Sequence, residues 1–556
     1  MDQERTFWRR HRWLLWTGGI AFAGLAAIIT TLAIMAHRIE PYVRARIIDG
    51  LSQHFHTHVE LDTFHLSIGN GFRGEWGVWA QGRGLRIWPP LPEGASLAER
   101  PAGEPLVSLA QFAFHAPLRY DPGAPIDIND VRLKGLALRM PPKSRRVELN
   151  KPGNSSPSSI KVHIARVECA NADLLIETDK PGKLPREFAI PILTLTDLNL
   201  DSPVHFDATL TNPIPAGAIH SVGTFGPWRV ADPAESPIQG DFTFNNADLG
   251  TIKGIAGILN SSGRYTGTLR NITVDGVTDT PDFRLTTSDK TLPLRTSYHA
   301  LVDGTDGDTY LEPVDAMLGS SHIIARGQVV RVLAAVGDDG KPHSIGHDIS
   351  LSIEIDKSRI EDFLRITTTG PTPILTGNLT LKTQLHIPPG AIPVIQKISL
   401  TDGTFSLTQS QFTSDKVQGR VLELSLRGQG KPGDVKSTPA DSVQADMRGN
   451  FKLGDGSLTL SQMQFVVPGA DIRVQGTYGI DSGALDFQGA ARLDATVSKV
   501  VGGWKGFLLT PVDPIFKKSG AGTFVPIHVR GTRKNPDIGI DFNRINSTSP
   551  QRPGTS

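Results

Sequence analysis

The sequence predicts a mainly β protein of many short antiparallel strands, carried behind one N-terminal transmembrane helix and interrupted by few short helices. Three observations predict it. From about Val59 onward apolar residues recur with a period of two, the mark of strands with one apolar and one wet face. Turn signals punctuate that pattern at Asp303-Gly304, Asp402-Gly403, Asp455-Gly456 and Asp481-Ser482-Gly483. Ahead of it, Trp13 to Ala36 carries no charge and would extend about 36 Å as a helix, enough to cross a hydrocarbon core of about 30 Å.

Composition narrows the function classes. The 556 residues hold 57 Lys and Arg against 56 Asp and Glu, so the basic excess of a nucleic-acid binder is missing. A single cysteine, Cys169, makes neither an internal disulfide nor a Cys-rich zinc site. The 57 Gly and 40 Pro stay below the range of about 25–30% that marks low complexity, and they punctuate a folded chain with many turns.

Taken in order, residues 1–12 read as a cytoplasmic tail with Arg5, Arg9, Arg10 and Arg12, and 13–36 as the anchor. Trp13 and Trp16 stand at the lipid–water boundary, and Ile20, Phe22, Leu25, Ile28 and Leu32 meet lipid. The long strand-rich, cysteine-poor region downstream favours an inner-membrane, single-pass protein with its bulk in the periplasm of a Gram-negative-type envelope. A cleaved signal peptide ending at Ala36 is the competing reading. The apolar stretch exceeds the usual 7–15 residues, and Ile34 occupies a position that wants a small side chain. Residues 37–58 form a juxtamembrane amphipathic segment, with Val43, Ile47, Leu51 and Phe55 recurring every four residues, which suits a helix on the membrane surface or one capping the first strands equally.

Residues 59–240 and 241–543 are two β-rich regions, and 544–556 a disordered tail. The clearest strands place Ile349, Leu351, Ile353 and Ile355 on one face, and Leu422, Leu424 and Leu426 on another. Shorter strands are expected at Ile126 to Leu133, Ile192 to Leu200, Phe242 to Phe244, Leu379 to Leu385, Leu458 to Leu460 and Ile472 to Val474. Helical spacing is confined to Ala247 to Leu259 and Ile360 to Ile366, and loops to Pro89 to Pro105, Asn150 to Ser159 and Lys431 to Ser442. Asp402 to Leu407 recurs as Asp455 to Leu460, which suggests a repeated hairpin unit.

On these residues the chain resembles the AsmA-like family of envelope proteins. The resemblance is carried by Val59-Glu60-Leu61 after the amphipathic segment, the Gly-rich stretch from Gly71 to Trp88, Gly267-Thr268-Leu269, Val274-Asp275-Gly276 and Thr280-Pro281-Asp282-Phe283. Val525 to Thr532 followed by Asn535-Pro536-Asp537-Ile538 resembles the family's C-terminal region. The resemblance implies an elongated, curled β-sheet groove with an apolar interior that shields lipid acyl chains, and it implies no catalytic motif. Elementary packing agrees: a sheet without covering helices folds over its own apolar face. A compact set of β-sandwiches whose apolar faces meet fully is the alternative.

Local signatures of chemistry do not outweigh structural readings. His54, His56 and His58, with His65 nearby, match a metal chelate or a solvated turn, and the turn is favoured. Asp303, Asp306, Asp308, Glu312 and Asp315 miss the calcium-loop spacing. Gly69, Gly71 and Gly74 spell a dinucleotide-type glycine motif with no helix pattern after it, which reads as a bulged hairpin. Ser158 and Lys161 stand alone. Distant carboxylate pairs leave no local signature, so a β-rich hydrolase stays open as a minor reading. The expectation is a non-enzymatic protein without cofactor or metal, whose strand faces Ile349 to Ile355 and Leu422 to Leu426 contact phospholipid or another envelope lipid. The alternative is a scaffold or regulator that meets an outer-membrane biogenesis partner and carries no lipid.

Overall fold

The computed structural model describes residues 40–540 except 54–56, 71–73, 75, 90–95, 97–98, 102, 118–125, 142–161, 178–184, 199–201, 228, 230–231, 337–341, 368–371, 391, 393, 481, 496–522 and 533–534. The expected tail 1–12, the anchor 13–36 with its named contacts and the tail 544–556 lie outside the described residues. So do His54, His56, Phe55, Ser158 and Lys161. Among the described residues no helix is long and apolar enough to cross a membrane.

The chain is mainly β, one large curled sheet with few helices. It opens with helix α1 (residues 40–53), then β1 (Val59–Glu60), β2 (Thr63–Asn70), β3 (Trp76–Ile87), β4 (Val107–Pro117) and β5 (Ile126–Met140). The middle holds β6 (Val162–Ile176), β7 (Arg186–Leu198), β8 (Val204–Pro213), β9 (Ala216–Phe225), β10 (Pro237–Asp248), β11 (Ile255–Ala256), β12 (Ile258–Thr268) and β13 (Asn271–Leu285). Next come β14 (Leu292–Val302), β15 (Thr309–Leu318), β16 (Ser321–Val336), β17 (Pro342–Arg359), α2 (Ile360–Thr367), β18 (Leu375–Ile387), α3 (Val394–Lys397) and β19 (Ser399–Phe412). The last part is α4 (Asp415–Gly428), β20 (Ala445–Gly454), β21 (Ser457–Val467), β22 (Ala470–Gly479), β23 (Ala484–Leu493), β24 (Thr523–Thr532) and β25 (Asn535–Ile540).

Most strands pair with their neighbours in sequence, the short β1 and β11 being passed over so that β1 joins β3, β10 joins β12 and β11 joins β13; all pairs run antiparallel apart from β5 and β6, where Val131 faces Val167 and Met140 faces Ile176. Because β5 and β6 point the same way, the end of β5 and the start of β6 lie on opposite rims of the sheet. Curl has a visible backbone cause. Asn246, Lys357 and Gln409 adopt left-handed φ values of 56°, 52° and 53° within register shifts of β10, β17 and β19. Such bulges insert one residue, bend the strand and raise its twist. All three lie toward the same rim.

The leading edge is sealed by α1. Val43, Ile47 and Ile48 pack against Leu61, Phe64 and Ala80. Glu40 Oε1 accepts from the Leu66 backbone N–H at 3.0 Å, and Arg44 Nε donates to the Leu61 carbonyl at 2.9 Å. Two long side chains thereby satisfy backbone groups of an edge that would otherwise pair with another chain.

Three expectations are corrected. Leu422, Leu424 and Leu426 are helical, in α4, because the i, i+4 pair Leu422 and Leu426 suits a helix face as well as a strand face; Val421, Leu422 and Leu426 are buried there, and Glu423 pairs with Arg427 one turn on. Ala247 to Leu259 is the end of β10, a short 3-10 turn at Leu249–Thr251, β11 and the start of β12. Asp402-Gly403 is a bulge inside β19, whereas Asp455-Gly456 is the turn between β20 and β21, so the two similar sequences are not one repeated hairpin. Aspartate tolerates left-handed φ, here 52° and 50°, which is what both situations require. The helix expected at Ile360 to Ile366 is α2, and the expected loop at Lys431 to Ser442 carries two 3-10 turns.

Candidate functional site: the inner face of the curled sheet

Directly paired residues share a face of a sheet, and the pairings trace one face from β2 almost to the far edge. Phe64 faces Gly82, then Phe112, Leu133, Cys169, Leu193, Ala208 and Ser221. The same row continues through Phe242, Gly263, Gly276, Tyr298, Val314, Ala325 and Ile353 to Thr383. A neighbouring row runs Ile355, Leu381, Phe405, Gly449, Met463, Val474, Gly489, Ile527. Neither row contains a charged side chain. Acids and bases pair on the opposite face, as in Asp279 with Arg295 at 3.1 Å, Glu354 with Lys382 at 2.6 Å and Asp275 with His299 at 2.7 Å. Bonding to Lys382 holds the Glu354 carboxyl below the usual carboxylate range.

Aromatic rings lie flat on this face because glycines leave room beneath them. A Cβ at Gly82 would stand 2.4 Å from Phe112, at Gly263 2.8 Å from Phe242 and at Gly276 2.5 Å from the Tyr298 hydroxyl. Phe451 covers Gly403 and Phe487 covers Gly476 in the same way. The lining is thin, and the side chains at these rows are mostly half-buried instead of closed off.

The face has two chemistries. Around β9 to β14 it carries hydroxyls, several of them paired: Ser221 Oγ lies 2.7 Å from the Tyr265 hydroxyl and donates to the Asp241 carbonyl at 3.0 Å. Thr278 and Thr296 hydroxyls are 2.6 Å apart, and Ser261 donates to the Val277 carbonyl. Burial pushes the Tyr265 and Tyr298 phenols above their usual range, so both stay neutral. From β17 to β23 the face is aliphatic and aromatic. There Ile349, Leu351 and Ile353 are half-buried while Ile355, at the end of the same stripe, is 5% exposed.

Helix α4 explains that gradient. It lies over one end of β17 to β23 and joins Leu422 and Leu426 to Ile355, Leu379, Leu407, Met447 and Phe465 in the largest buried cluster, with Leu424 on its flank. Its polar anchors are buried and satisfied. Gln418 accepts from the Phe412 N–H at 2.9 Å and donates to the Val443 carbonyl at 2.7 Å, and Ser425 donates to the Pro468 carbonyl at 2.7 Å. Helix α2 is tied down on the same rim by Asp362, which accepts from Ser320 N–H at 2.9 Å and Ser321 Oγ at 2.9 Å. The other end of these strands has no helix of comparable size over it among the described residues.

The remaining sequence candidates serve structure. His58 contacts Glu60 at 3.3 Å and the Trp88 ring, and His65 reaches Glu40 at 3.5 Å. Gly69 and Gly74 belong to the β2–β3 hairpin, in which Gly69 faces Gly77. Asp306 and Asp308 are buried in the tight β14–β15 loop, where Asp306 accepts from the Asp308 N–H and Asp308 from the Arg331 N–H. Among the described residues no three His, Cys, Asp or Glu side chains are grouped to hold a metal. Sequence reasoning missed α4 as a cover, whereas the four-residue spacing of Val43 and Ile47 already offered α1 as a helix against the first strands, and that is where it packs. No family model, curated protein or solved structure matches the chain.

Proposed function

We propose that the protein is an AsmA-like envelope protein, anchored in the inner membrane by residues 13–36 with its bulk in the periplasm, whose curled sheet binds or conducts phospholipid or otherwise supports outer-membrane assembly. It acts without catalysis, cofactor or metal. The observation that carries this reading is the pair of inner-face rows free of charged side chains, continuous through paired residues from Phe64 to Thr383 and on through Ile355 to Ile527. Such a face solvates acyl chains by area removed from water, about 25 cal/mol per Å², and pairing among its hydroxyls lowers the cost of covering them.

The alternative, a scaffold or regulator that carries no lipid and binds an outer-membrane biogenesis partner, has one observation in its favour: α4 closes one end of the inner face over β17 to β23 as core. Mass spectrometry of lipid co-purifying with the full chain separates the two. Phospholipid in stoichiometric amount supports the groove; its absence after extraction in mild detergent overturns it.

A further inference from the structure

Each strand end lies on one of two rims. One rim holds the end of β6 and the start of β7, the 3-10 turn at Leu249–Thr251, and helices α2 and α4; the other holds the β12–β13 turn, the 303–308 loop and α3. At three places these opposite rims touch. Ile176, at the end of β6, shares a buried cluster with Leu269 of the β12–β13 turn. At the start of β7, Arg331 Nη1 donates to the Pro185 carbonyl at 3.4 Å across 146 residues, and a Cβ at Gly307 would stand 3.0 Å from Arg186 Nη1. Gly254, ahead of β11, approaches α3, where a Cβ on it would lie 4.0 Å from the Val394 Cβ.

All three contacts join the first rim of an earlier strand to the second rim of a later one. That common sense is the geometry of a ribbon wound into a tube, with a seam where successive turns meet. We infer that the sheet from β6 to β19 is wound in this way, and that its inner face is loaded from the side by parting the seam, with Arg186, Arg331 and the 303–308 loop as the latch. The inference rests on the lipid reading above and adds the route of entry.

The seam is suited to opening. No strand ladder crosses it among the described residues, so parting it breaks side-chain contacts and leaves the ladder hydrogen bonds intact. Its latch places two guanidinium groups together against a loop with buried Asp306 and Asp308, a contact that holds only while the loop keeps its position. The ladder between adjacent strands has no such alternative state.

The test uses the full chain in detergent and a phospholipid carrying an environment-sensitive fluorophore on one acyl chain, supplied from phosphatidylcholine vesicles. In Gly254→Cys/Val394→Cys the 4.0 Å Cβ separation falls within the disulfide range of about 3.5–4.5 Å, and Cys169 is buried away from the pair. Oxidation should slow probe uptake about ten-fold or more against the same protein reduced, and reductant should restore it. Gly254 has a φ of +103°, unfavourable to cysteine, so Arg331→Glu provides a second measurement: uptake faster by several-fold at an unchanged final level. Equal uptake rates for oxidised and reduced protein, or failure of the disulfide to form together with an Arg331→Glu rate equal to wild type, overturn the seam. Uptake absent from the wild type overturns the lipid reading and the seam with it.

Discussion

The stretch from β8 to β16 and the stretch from β17 to β23 use the same alternation and end in different states. In the first, rings lie over glycines, hydroxyls such as Ser221 and Tyr265 pair with each other, and among the described residues no long helix lies on the inner face. In the second, α4 supplies a second layer, and Ile355, Leu407 and Phe465 become closed core. A period of two decides which side chains share a face, but whether that face is trough or core depends on what covers it.

This contrast is most sharply broken by charge. Leu422→Asp, on the buried face of α4, should cost about 3–5 kcal/mol because an unpaired charge enters a closed cluster, read as loss of cooperative unfolding or a large drop in melting temperature. Ile353→Asp, on the half-open part of the stripe, should cost about 1–2 kcal/mol and instead strip bound lipid from an otherwise folded protein. Equal unfolding by both would show that the stripe is core throughout.

Gly276→Ala comes next. Its Cβ would stand 2.5 Å from the Tyr298 hydroxyl, so the ring must shift at a cost of about 1–3 kcal/mol, visible as a lower unfolding midpoint. Gly454→Ala, with nothing near its Cβ, is the matched control and should change stability far less.

Tyr265→Phe should cost about 0.5–1.5 kcal/mol, since Ser221 keeps its bond to Asp241. The wild type carries the corresponding pH dependence. The folded-state pKa of Tyr265 and Tyr298 is raised, so their contribution is fully present below the unfolded value of about 10 and is lost as pH rises through the folded one. Alkaline unfolding followed by tyrosinate absorbance should therefore show late, cooperative ionisation of these two phenols. The smallest effect belongs to Lys382→Ala on the outer face. Glu354 has a depressed pKa, so this pair's contribution is present above the unfolded carboxylate range and fades as pH falls through the folded value, leaving a slight change confined to the acid limb of a stability profile.

Much of the sheet is legible in the sequence. Ile349 to Ile355 is a one-faced strand as its alternation states, and the strands expected at Ile126 to Leu133 and Leu379 to Leu385 fall within β5 and β18. Asp455-Gly456 turns the chain where expected. Errors cluster where one local pattern serves two structures. Leu422, Leu424 and Leu426 fit a strand or a helix, and the helix is chosen because it buries Val421, Leu422 and Leu426 on the sheet. Asp402 fits a turn or a bulge, and the pairing of β19 with β20 selects the bulge.

Local chemistry and period thus determined that the chain is a one-faced β-sheet with its charges kept off the inner rows, because alternation and turn residues act over a few positions. Tertiary structure alone decided which part of that face is covered, that β5 and β6 run parallel, and that opposite rims meet at Pro185 and Arg331. These depend on curl accumulated over many strands and on contacts between residues far apart in the chain, and no short window of sequence carries either.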